Sequence, residues 1–299
     1  AIGLDVLLGD PPFRFHPVAL MGSYLRVAAR NVPATGRWRQ FLCGVGIVLA
    51  GGAVFALPWL ALKYLDTHML VKSFLTALLL KPVFAFRSLL EAGRAVQRAM
   101  SGEQLEEARR LLSWHLVSRE TSALSERHAA SAAIESLAEN LTDSFFAPLL
   151  AFVVGGLPLA WFYRFVNTAD AMIGYRTVEL EYTGKFAARL DDALNWLPAR
   201  FSAVCIVLAA PLASLNIAGA WRTMLSQHRR TASPNAGWTM GAAAGALAVR
   251  LEKIGHYSLE GGENLPEAAD IARCLRLMLW AAGIGAAVLT LMTAVMYAG

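Results

Sequence analysis

Residues 134–150 read IESLAENLTDSFFAPLL, and residues 164–196 read RFVNTADAMIGYRTVELEYTGKFAARLDDALNW. Both stretches place acids, asparagines and basic residues between apolar runs, at spacings that bring several polar side chains to a common helix face. Burying such groups beside lipid is costly unless they are paired or bind a ligand. A chain keeps that arrangement where it has a use, so the segment from Glu135 to Asn195 is the candidate active site.

The composition indicates a membrane protein. Of its 299 residues, 56% are hydrophobic and 16% are charged, whereas a soluble domain has roughly 25% charged residues. The mean hydropathy of +0.46 points the same way. We therefore predict an all-α, polytopic helical membrane protein, a single integral-membrane domain over residues 1–299. Amphipathic or re-entrant helices would surround a polar site that faces the cytoplasm.

The charges and cysteines restrict the partners. A formal charge of +5 at pH 7 fits basic loops on the cytoplasmic side of a bilayer, and it also fits anionic substrates. The topological interpretation explains most of these charges better, and we expect a lipid bilayer but no nucleic acid as a partner. Cys43, Cys205 and Cys274 lie in or beside apolar runs without metal-ligand spacing, which is typical of small core residues.

Apolar runs predict helical spans near residues 1–8, 41–62, 69–86, 145–163, 200–217 and 274–297. The chain opens without Met on what resembles the tail of a helix, so we expect residues to precede it, and we expect no cleavable signal sequence. Glycines within 41–62 favour close helix packing. Between the spans we predict amphipathic helices over 87–143, a basic loop over 221–230 and a polar loop over 256–268.

The segment 145–163 is about long enough to cross a bilayer, but Gly155-Gly156-Leu157-Pro158 interrupts it. A continuous span would put Glu135 and Asn167 on opposite sides of the membrane. A re-entrant or broken hairpin would keep them on one side, and irregular backbone of that kind is tolerated where it lines a cavity or is buried in protein. We favour the hairpin.

Three clusters combine carboxylates with amides at helical spacing. The first comprises Glu135, Glu139, Asn140 and Asp143, the second Asn167 and Asp170, and the third Asp191, Asp192 and Asn195. Such sets hold Mg²⁺ against phosphate oxygens, because this hard cation prefers oxygen ligands. Helix capping and ion pairing with nearby arginines and lysines explain any single cluster equally well. Three clusters within sixty residues of a membrane protein favour function.

Two further segments, around His115 and around Asp10, carry weaker signals. His115 and Arg119 lie one turn apart and could serve as an acid/base and a phosphate clamp, although an interfacial helix explains this spacing better. Asp10, within Gly9-Asp10-Pro11-Pro12, lies near His16 in a rigid segment, which is also what a turn at the membrane edge requires.

No P-loop, protein-kinase, HExxH or GxSxG motif occurs, so any use of ATP would not rely on those motifs.

The segment Ser233-Pro234-Asn235-Ala236-Gly237 leads into a small-residue helix predicted over 238–249. The free N–H groups at the start of such a helix could receive an anion. Ser233 and Asn235 could equally act as N-terminal caps that need no ligand.

Several blocks that include the segments described above resemble the adenosylcobinamide-phosphate synthase family (CobD/CbiB) of cobalamin biosynthesis. The likeness covers nearly the whole chain and depends on blocks in the right order. They are LDVLLGDPP with HPV, RRLLSWHLVSRETSALSE, AAIESLAENLTDSFFAPL, NTADAMIGYRT, GKFAARLDDALNWLPAR, and SPNAGWTMGAAAGAL ending in GHYSLEGG. A single block would not be specific, but the ordered set is.

The resemblance implies a multi-pass enzyme of the bacterial inner membrane, with its active site on the cytoplasmic side. The implied reaction is ATP-dependent amide ligation of (R)-1-aminopropan-2-ol phosphate, or aminopropanol, to the ring D propionate of adenosylcobyric acid. An acyl phosphate would activate that carboxylate, with Mg²⁺ as the cofactor. Contact with other membrane-bound enzymes of nucleotide-loop assembly is also expected.

The chemistry of the implied reaction leads to a hypothesis for the roles of the residues. The expected metal ligands are Glu135, Asp143, Asp170, Asp191 and Asp192. The expected catalytic proton acceptors are Glu135, Glu139 and His115. The expected substrate- and ATP-binding residues are Asp10, His16, Arg119, Asn140, Asn167, Tyr175, Arg176, Lys185, Asn195, Ser233 and Asn235. The alternative is a non-catalytic transporter or sensor related to this family, in which buried acids would form an ion path.

Overall fold

The computed structural model of the chain describes residues 1–10, 16–33, 35–175, 177 and 180–297, without the side chains of residues 8, 63 and 297. In chain order the helices are α1 (Ile2–Leu8), α2 (Pro17–Arg30), α3 (Arg37–Ala56), α4 (Met69–Leu80), α5 (Phe86–Ser101), α6 (Leu105–His115), α7 (Glu126–Leu141), α8 (Ala147–Ile173), α9 (Lys185–Leu194), α10 (Trp196–Ala209), α11 (Ile217–Gln227), α12 (Ala236–Leu247) and α13 (Ala268–Tyr297). Strands β1 (Arg250–Lys253) and β2 (Tyr257–Glu260) form one antiparallel hairpin. Short 3₁₀ segments occupy Leu57–Tyr64, Lys81–Val83 and His228–Arg230, and a π-helical turn, Thr142–Phe146, joins α7 to α8.

Within the described residues, four helical segments are long and apolar enough to cross a bilayer. They are Arg37–Leu62, Met69–Ser101, Glu126–Ile173 and Ala268–Met296. Helices α9 and α10 meet the same criterion only when they are counted together as one bent span. The predicted class, an all-α polytopic membrane protein, is confirmed.

The chain divides into two compact units. The first comprises residues 1–85 and 147–195, and the second comprises residues 86–146 and 196–299. The candidate segment Glu135–Asn195 is therefore shared between them, with its first acidic cluster in the second unit and the other two clusters in the first.

Glycine packing holds α3 in the first unit. A methyl group at Gly44 would collide with the Thr183 carbonyl, and one at Gly51 would collide with the ring of Phe165. Only a hydrogen atom fits at these two contacts, so the helix lies against its neighbours at backbone distance. The close packing predicted from the glycines of this span is confirmed at these positions.

Helix α8 contains the predicted break. Gly156 has φ 66° and ψ −160°, outside the helical region, and Pro158 follows inside the helix. Glycine tolerates this backbone conformation at low cost, whereas other residues do not. The interruption is therefore confirmed, but a common side for Glu135 and Asn167 stays a prediction.

Helix α7 forms the interior of the second unit. Its small residues are buried on every side, including Ala129, Ala133 and Ala138. Helix α5 packs as an amphipathic helix, with Leu89, Val96 and other apolar residues buried, as its 3.6-residue period predicts. This packing places the polar side chains of α7 in an apolar environment.

The predicted span 200–217 is not one helix, and the predicted basic loop 221–230 is largely helical. Helix α10 ends at Ala209, and Pro211 and Ser214 (φ 58°) turn the chain. The residue before a proline is disfavoured in the α conformation, which explains the stop. Helix α11 then begins with Asn216 as its cap, whose side chain accepts a hydrogen bond from Gly219 N.

The predicted polar loop 256–268 begins with a strand. Strands β1 and β2 pair Leu251 with Leu259, and both leucines are fully buried. Gly255, with φ 74°, forms the turn between the strands. Two four-residue strands give too short an alternation for the sequence to distinguish them from a loop.

Candidate functional site

The first unit holds a buried network centred on Asp191. Asn195 Nδ2 donates to Asp191 Oδ2 at 2.9 Å and Asn167 Nδ2 donates to Asp191 Oδ1 at 3.3 Å. Tyr163 Oη donates to Asn195 Oδ1 at 2.9 Å. Asp191 is 8% exposed and Asn195 is 3% exposed. Each oxygen of this buried carboxylate therefore accepts a hydrogen bond from a neutral amide, which leaves its negative charge uncompensated by these partners.

Helical spacing and two glycines assemble this network. Tyr163 and Asn167 lie one turn apart on α8, and Asp191 and Asn195 are similarly spaced at the end of α9. Gly184 lets helix α9 approach α8 closely, since any side chain at this position would collide with the Ile173 carbonyl. The asparagines and the aspartate were predicted as site residues, and the structure brings them together.

Asp170 lies beside the same network. Its carboxylate sits where a methyl group on Gly174 would project, and it interacts electrostatically with Asp191 and Asp192. Three carboxylates near one another repel unless a cation or proton intervenes. The second and third predicted clusters are therefore one acidic site in the structure.

Asp10 and His16 belong to a different cluster of the first unit. Lys81 Nζ lies 2.5 Å from Asp10 Oδ1 and 2.9 Å from Asp5 Oδ1. The His16 side chain caps α2, because its Nδ1 accepts from Val18 N at 3.2 Å. Burial lowers the pKa of His16, while Asp10 opposes this shift and Arg164 and Lys81 add to it. This cluster has the ion pairing and capping that a structural role requires.

The second unit holds Glu135 in a buried hydroxyl cradle. Ser131 Oγ donates to Glu135 Oε1 at 2.8 Å and Tyr257 Oη donates to Glu135 Oε2 at 2.7 Å. Arg119 Nη2 lies 3.9 Å from the same Oε2, which is too long for a hydrogen bond. Glu135 is 5% exposed, so the two hydroxyl groups are its close polar contacts and Arg119 supplies a nearby positive charge.

The hairpin supplies the tyrosine of this cradle. Burial raises the pKa of Tyr257, and the Glu135 carboxylate raises it further. The phenol therefore stays protonated at neutral pH and donates its proton to the carboxylate. Ser131 also accepts a hydrogen bond from Glu252 N on β1 at 2.7 Å, which ties α7 to the hairpin at the position of Glu135.

The other members of the first cluster have separate surroundings. Glu139 is close enough to Tyr257 to act on it electrostatically. Asn140 Nδ2 donates to the Ser136 carbonyl at 3.0 Å and to Ser136 Oγ at 3.1 Å, so its amide is engaged within α7. Asp143 lies in the π-helical turn and is partly exposed.

Four predicted residues lie at the surface or outside the described chain. His115 is the exposed last residue of α6, and Lys185 is the exposed first residue of α9. Tyr175 is 45% exposed, and Arg176 lies outside the described residues. The ligand-binding roles of these residues stay predictions.

Ser233 caps the start of α12, whereas Asn235 occupies the N-cap position without a capping hydrogen bond from its side chain. Ser233 Oγ accepts from Asn235 N at 3.2 Å and from Ala236 N at 3.4 Å. Asn235 Oδ1 accepts from Arg200 Nη1 at 3.1 Å, and the Arg200 guanidinium lies over the rings of Trp196 and Trp238. These contacts favour the capping interpretation, and an anion at this helix start stays a prediction.

Comparison with known proteins identifies the family. The family model described as "CobD/Cbib protein" matches residues 1–278. "Cobalamin biosynthesis protein CobD" of Dehalococcoides mccartyi is 42% identical over 285 residues, covering 95% of this chain and 92% of the relative. "Probable cobalamin biosynthesis protein CobD" of Methanothermobacter thermautotrophicus is 44% identical over 259 residues, covering 87% and 84%. The chain belongs to the CobD/CbiB family.

The resemblance deduced from the sequence blocks is thereby confirmed. Another relative, "Cobalamin biosynthesis protein CobD" of Geobacter metallireducens, is 38% identical over 274 residues, covering 91% of this chain and 83% of the relative. No solved structure matches this CobD/CbiB-family chain.

The resemblance implies bound Mg²⁺, and the residues of the acidic site in this CobD/CbiB-family chain can be compared with the ligands that this ion requires. Within the described residues no three His, Cys, Asp or Glu side chains are placed to hold a metal ion by themselves. Mg²⁺, however, is usually bound by one or two carboxylates, with phosphates and water completing its shell. Asp170 and Asp191, which interact electrostatically, fit that chemistry. Glu135 accepts hydrogen bonds from two hydroxyl groups, and its role as a metal ligand stays a prediction.

Sequence reasoning missed three residues of these networks. Tyr163 lies one turn before Asn167, and Ser131 lies one turn before Glu135, so a search at four-residue spacing would have found both. Tyr257 is 122 residues from Glu135, and no local pattern connects the two. Its presence in the GHYSLEGG block was the only signal that the sequence offered.

Proposed function

We propose that this CobD/CbiB-family chain is an ATP-dependent ligase that forms an amide bond. It joins (R)-1-aminopropan-2-ol phosphate, or aminopropanol, to the ring D propionate of adenosylcobyric acid. The observation that carries the proposal is the acidic site of Asp170 and Asp191, in a chain of a family whose relatives are named for cobalamin biosynthesis. A carboxylate pair of this kind suits phosphoryl transfer from a nucleotide.

The reaction balances in two steps. A propionate oxygen attacks the γ-phosphorus of ATP, the bond to the bridging oxygen breaks, and ADP leaves. The amine nitrogen then attacks the acyl carbon of the resulting acyl phosphate, the carbon–oxygen bond breaks, and inorganic phosphate leaves. The incoming ammonium group must lose one proton before it attacks, and the amide nitrogen loses a second as the product forms, so a base is required.

The first unit contributes the phosphoryl-transfer residues. Asp170 and Asp191, with Asp192 beside them, would hold Mg²⁺, which when bound supplies charge neutralisation at the phosphates. Asn167 and Asn195 fix the Asp191 carboxylate through its two oxygens. Lys185 and Arg176 are the proposed phosphate-binding cations of the adjoining segment.

The second unit contributes the proposed base. Tyr257 and Ser131 orient the Glu135 carboxylate, and Arg119 offers a guanidinium for a phosphate group. Glu139 and the exposed His115 are the other candidates for removing the ammonium proton. We propose that Glu135, Asp170 and Asp191 all face the cytoplasmic side of a bacterial inner membrane.

The test is reconstitution with defined substrates. Purified full-length protein is incubated with adenosylcobyric acid, aminopropanol phosphate, ATP and Mg²⁺, and the products are analysed by mass spectrometry. We expect the amide product together with ADP, and no product when ATP or Mg²⁺ is omitted. Folded protein that makes no amide under these conditions, with either amine, would favour the transporter or sensor alternative.

A further inference from the structure

The second unit contains a cavity that the two polar networks do not explain. Its volume is about 550 Å³, and it is lined by Arg250, Glu252, Ser258, Glu260, Gly262 and Glu263. Cavities that bind small molecules typically measure about 300–1,000 Å³. The cavity is therefore large enough for a compact polar ligand.

The hairpin builds this cavity by its two-residue alternation. Arg250 pairs with Glu260 across the ladder and Glu252 pairs with Ser258, so these four side chains project from one face. Leu251 and Leu259 project from the other face and are fully buried. Gly262 completes the wall, because a methyl group there would collide with the Ala248 carbonyl.

The lining combines an excess of carboxylates with unsatisfied polar atoms. It carries three glutamates and one arginine, and Arg230 compensates Glu260 at 3.0 Å. Arg250 Nε and Ser258 Oγ are shielded from solvent and have no hydrogen-bond partner in the described part of the chain. Arg250 Nε lies 3.9 Å from Glu252 Oε2, too far for a hydrogen bond. Buried polar atoms without a partner are uncommon and call for an explanation.

The chemistry of the ligand follows from these groups. Within the described residues the three glutamates are not placed to hold a metal ion together, so an organic cation suits them better. Glu263 and Glu252 can accept hydrogen bonds from a primary ammonium group, while the partly exposed guanidinium of Arg250 can bind a hydroxyl or phosphate oxygen. A short amino alcohol or its phosphate carries both functions.

The cavity and the Glu135 cradle are built on opposite faces of the same hairpin. Tyr257 precedes Ser258 on β2, and its side chain projects from the opposite face to donate to Glu135. We propose that this cavity is the binding site for the amine substrate, with the ammonium group at Glu263 and Glu252 and the hydroxyl or phosphate group at Arg250. The identity of the amine depends on the function proposed above.

Binding and turnover test this proposal separately. The full-length protein is titrated by calorimetry with aminopropanol, aminopropanol phosphate, and isopropyl phosphate, which lacks the ammonium group. We expect aminopropanol phosphate to bind more tightly than isopropyl phosphate. Glu263→Gln should weaken its binding by about 10- to 100-fold, the scale of one hydrogen bond to a charged group. Glu263 is exposed, so this change should not prevent folding.

The control is Glu126→Gln, an equally exposed glutamate at the start of α7, which should bind both amines as the wild type does. The proposal is overturned if the wild type binds neither amine, or if Glu263→Gln and Arg250→Gln both bind them normally. Amide formation with an unchanged KM for the amine in both variants would refute the cavity and leave the ligase proposal standing. Cavity-dependent binding without any amide formation would refute the ligase proposal instead.

Discussion

Replacing Tyr257 with phenylalanine tests the cradle around Glu135. The change deletes one hydroxyl group and preserves the ring that packs beside it. Glu135 Oε2 then loses its hydrogen bond of 2.7 Å and retains Arg119 at 3.9 Å, while Ser131 still donates to Oε1. A carboxylate that is 5% exposed cannot replace the lost donor with bulk water.

The size of the effect follows from the partner that is lost. A hydrogen bond to a charged group contributes about 1.5–3 kcal/mol, so the free energy of unfolding should fall by roughly that amount. If Glu135 acts in the reaction, misorientation of its carboxylate should also lower kcat by about 10- to 100-fold, since each 1.36 kcal/mol is tenfold in rate. Ser131→Ala should give a similar loss.

The assay combines thermal unfolding of the purified protein with amide formation measured by mass spectrometry. Tyr64→Phe is the matched control, because Tyr64 is 87% exposed and should lose neither stability nor activity. The double variant of Tyr257 and Ser131 should show non-additive losses, because both hydroxyls serve one carboxylate. Behaviour of Tyr257→Phe that matches Tyr64→Phe in both assays would refute the cradle as a functional element.

Three further outcomes are expected from other parts of the chain. Asp170→Asn and Asp143→Asn should each lower amide formation by roughly a hundredfold or more, the scale of losing one electrostatic group at such a site. Near-normal turnover of both folded variants would refute the metal-ligand assignment. Burial lowers the pKa of His16 in the folded protein, so the unfolded state binds the proton more readily. The contribution of His16 to the free energy of unfolding should therefore be full above about pH 6.5 and fall as pH drops through the folded pKa. His16→Asn keeps a capping side chain, and its thermal unfolding should depend less on pH over that range; an unchanged pH dependence would contradict this. Gly51→Ala should destabilise the protein by about 1–3 kcal/mol through overpacking against Phe165. A methyl group at Gly46 meets nothing within 4 Å, so Gly46→Ala should be neutral or stabilising. Equal thermal unfolding of the two variants would contradict the packing of α3.

The parts of the structure that follow from local spacing could be predicted from the sequence. Asp191 and Asn195 share a helix face because they lie four residues apart, and the structure joins them by a hydrogen bond. The interruption at Gly156 follows from a glycine pair and a proline within an apolar run. In each case a short segment contains the whole physical cause.

The rest depends on contacts between distant segments. Tyr257 reaches Glu135 through a hairpin whose strands have four residues each, and no periodicity in so short a segment reveals it. The same holds for Lys81, which pairs with Asp5 and Asp10 across more than seventy residues. The end of α10 at Ala209 was missed because the apolar run continues beyond Pro211, and hydropathy alone does not register that turn.

The buried carboxylates differ in how their charge is compensated, and this difference separates structural groups from functional ones. Asp5 and Asp10 contact the ammonium group of Lys81, which compensates part of their negative charge where it lies. Asp191 accepts hydrogen bonds from neutral amides, which stabilise the carboxylate but leave its charge available. Because Asp170 and Asp192 add to that negative charge, the site attracts a cation more strongly than the Lys81 cluster does. The position of a metal-assisted step is therefore better sought at Asp191 than at Asp10, although the sequence presents both as acids in conspicuous motifs.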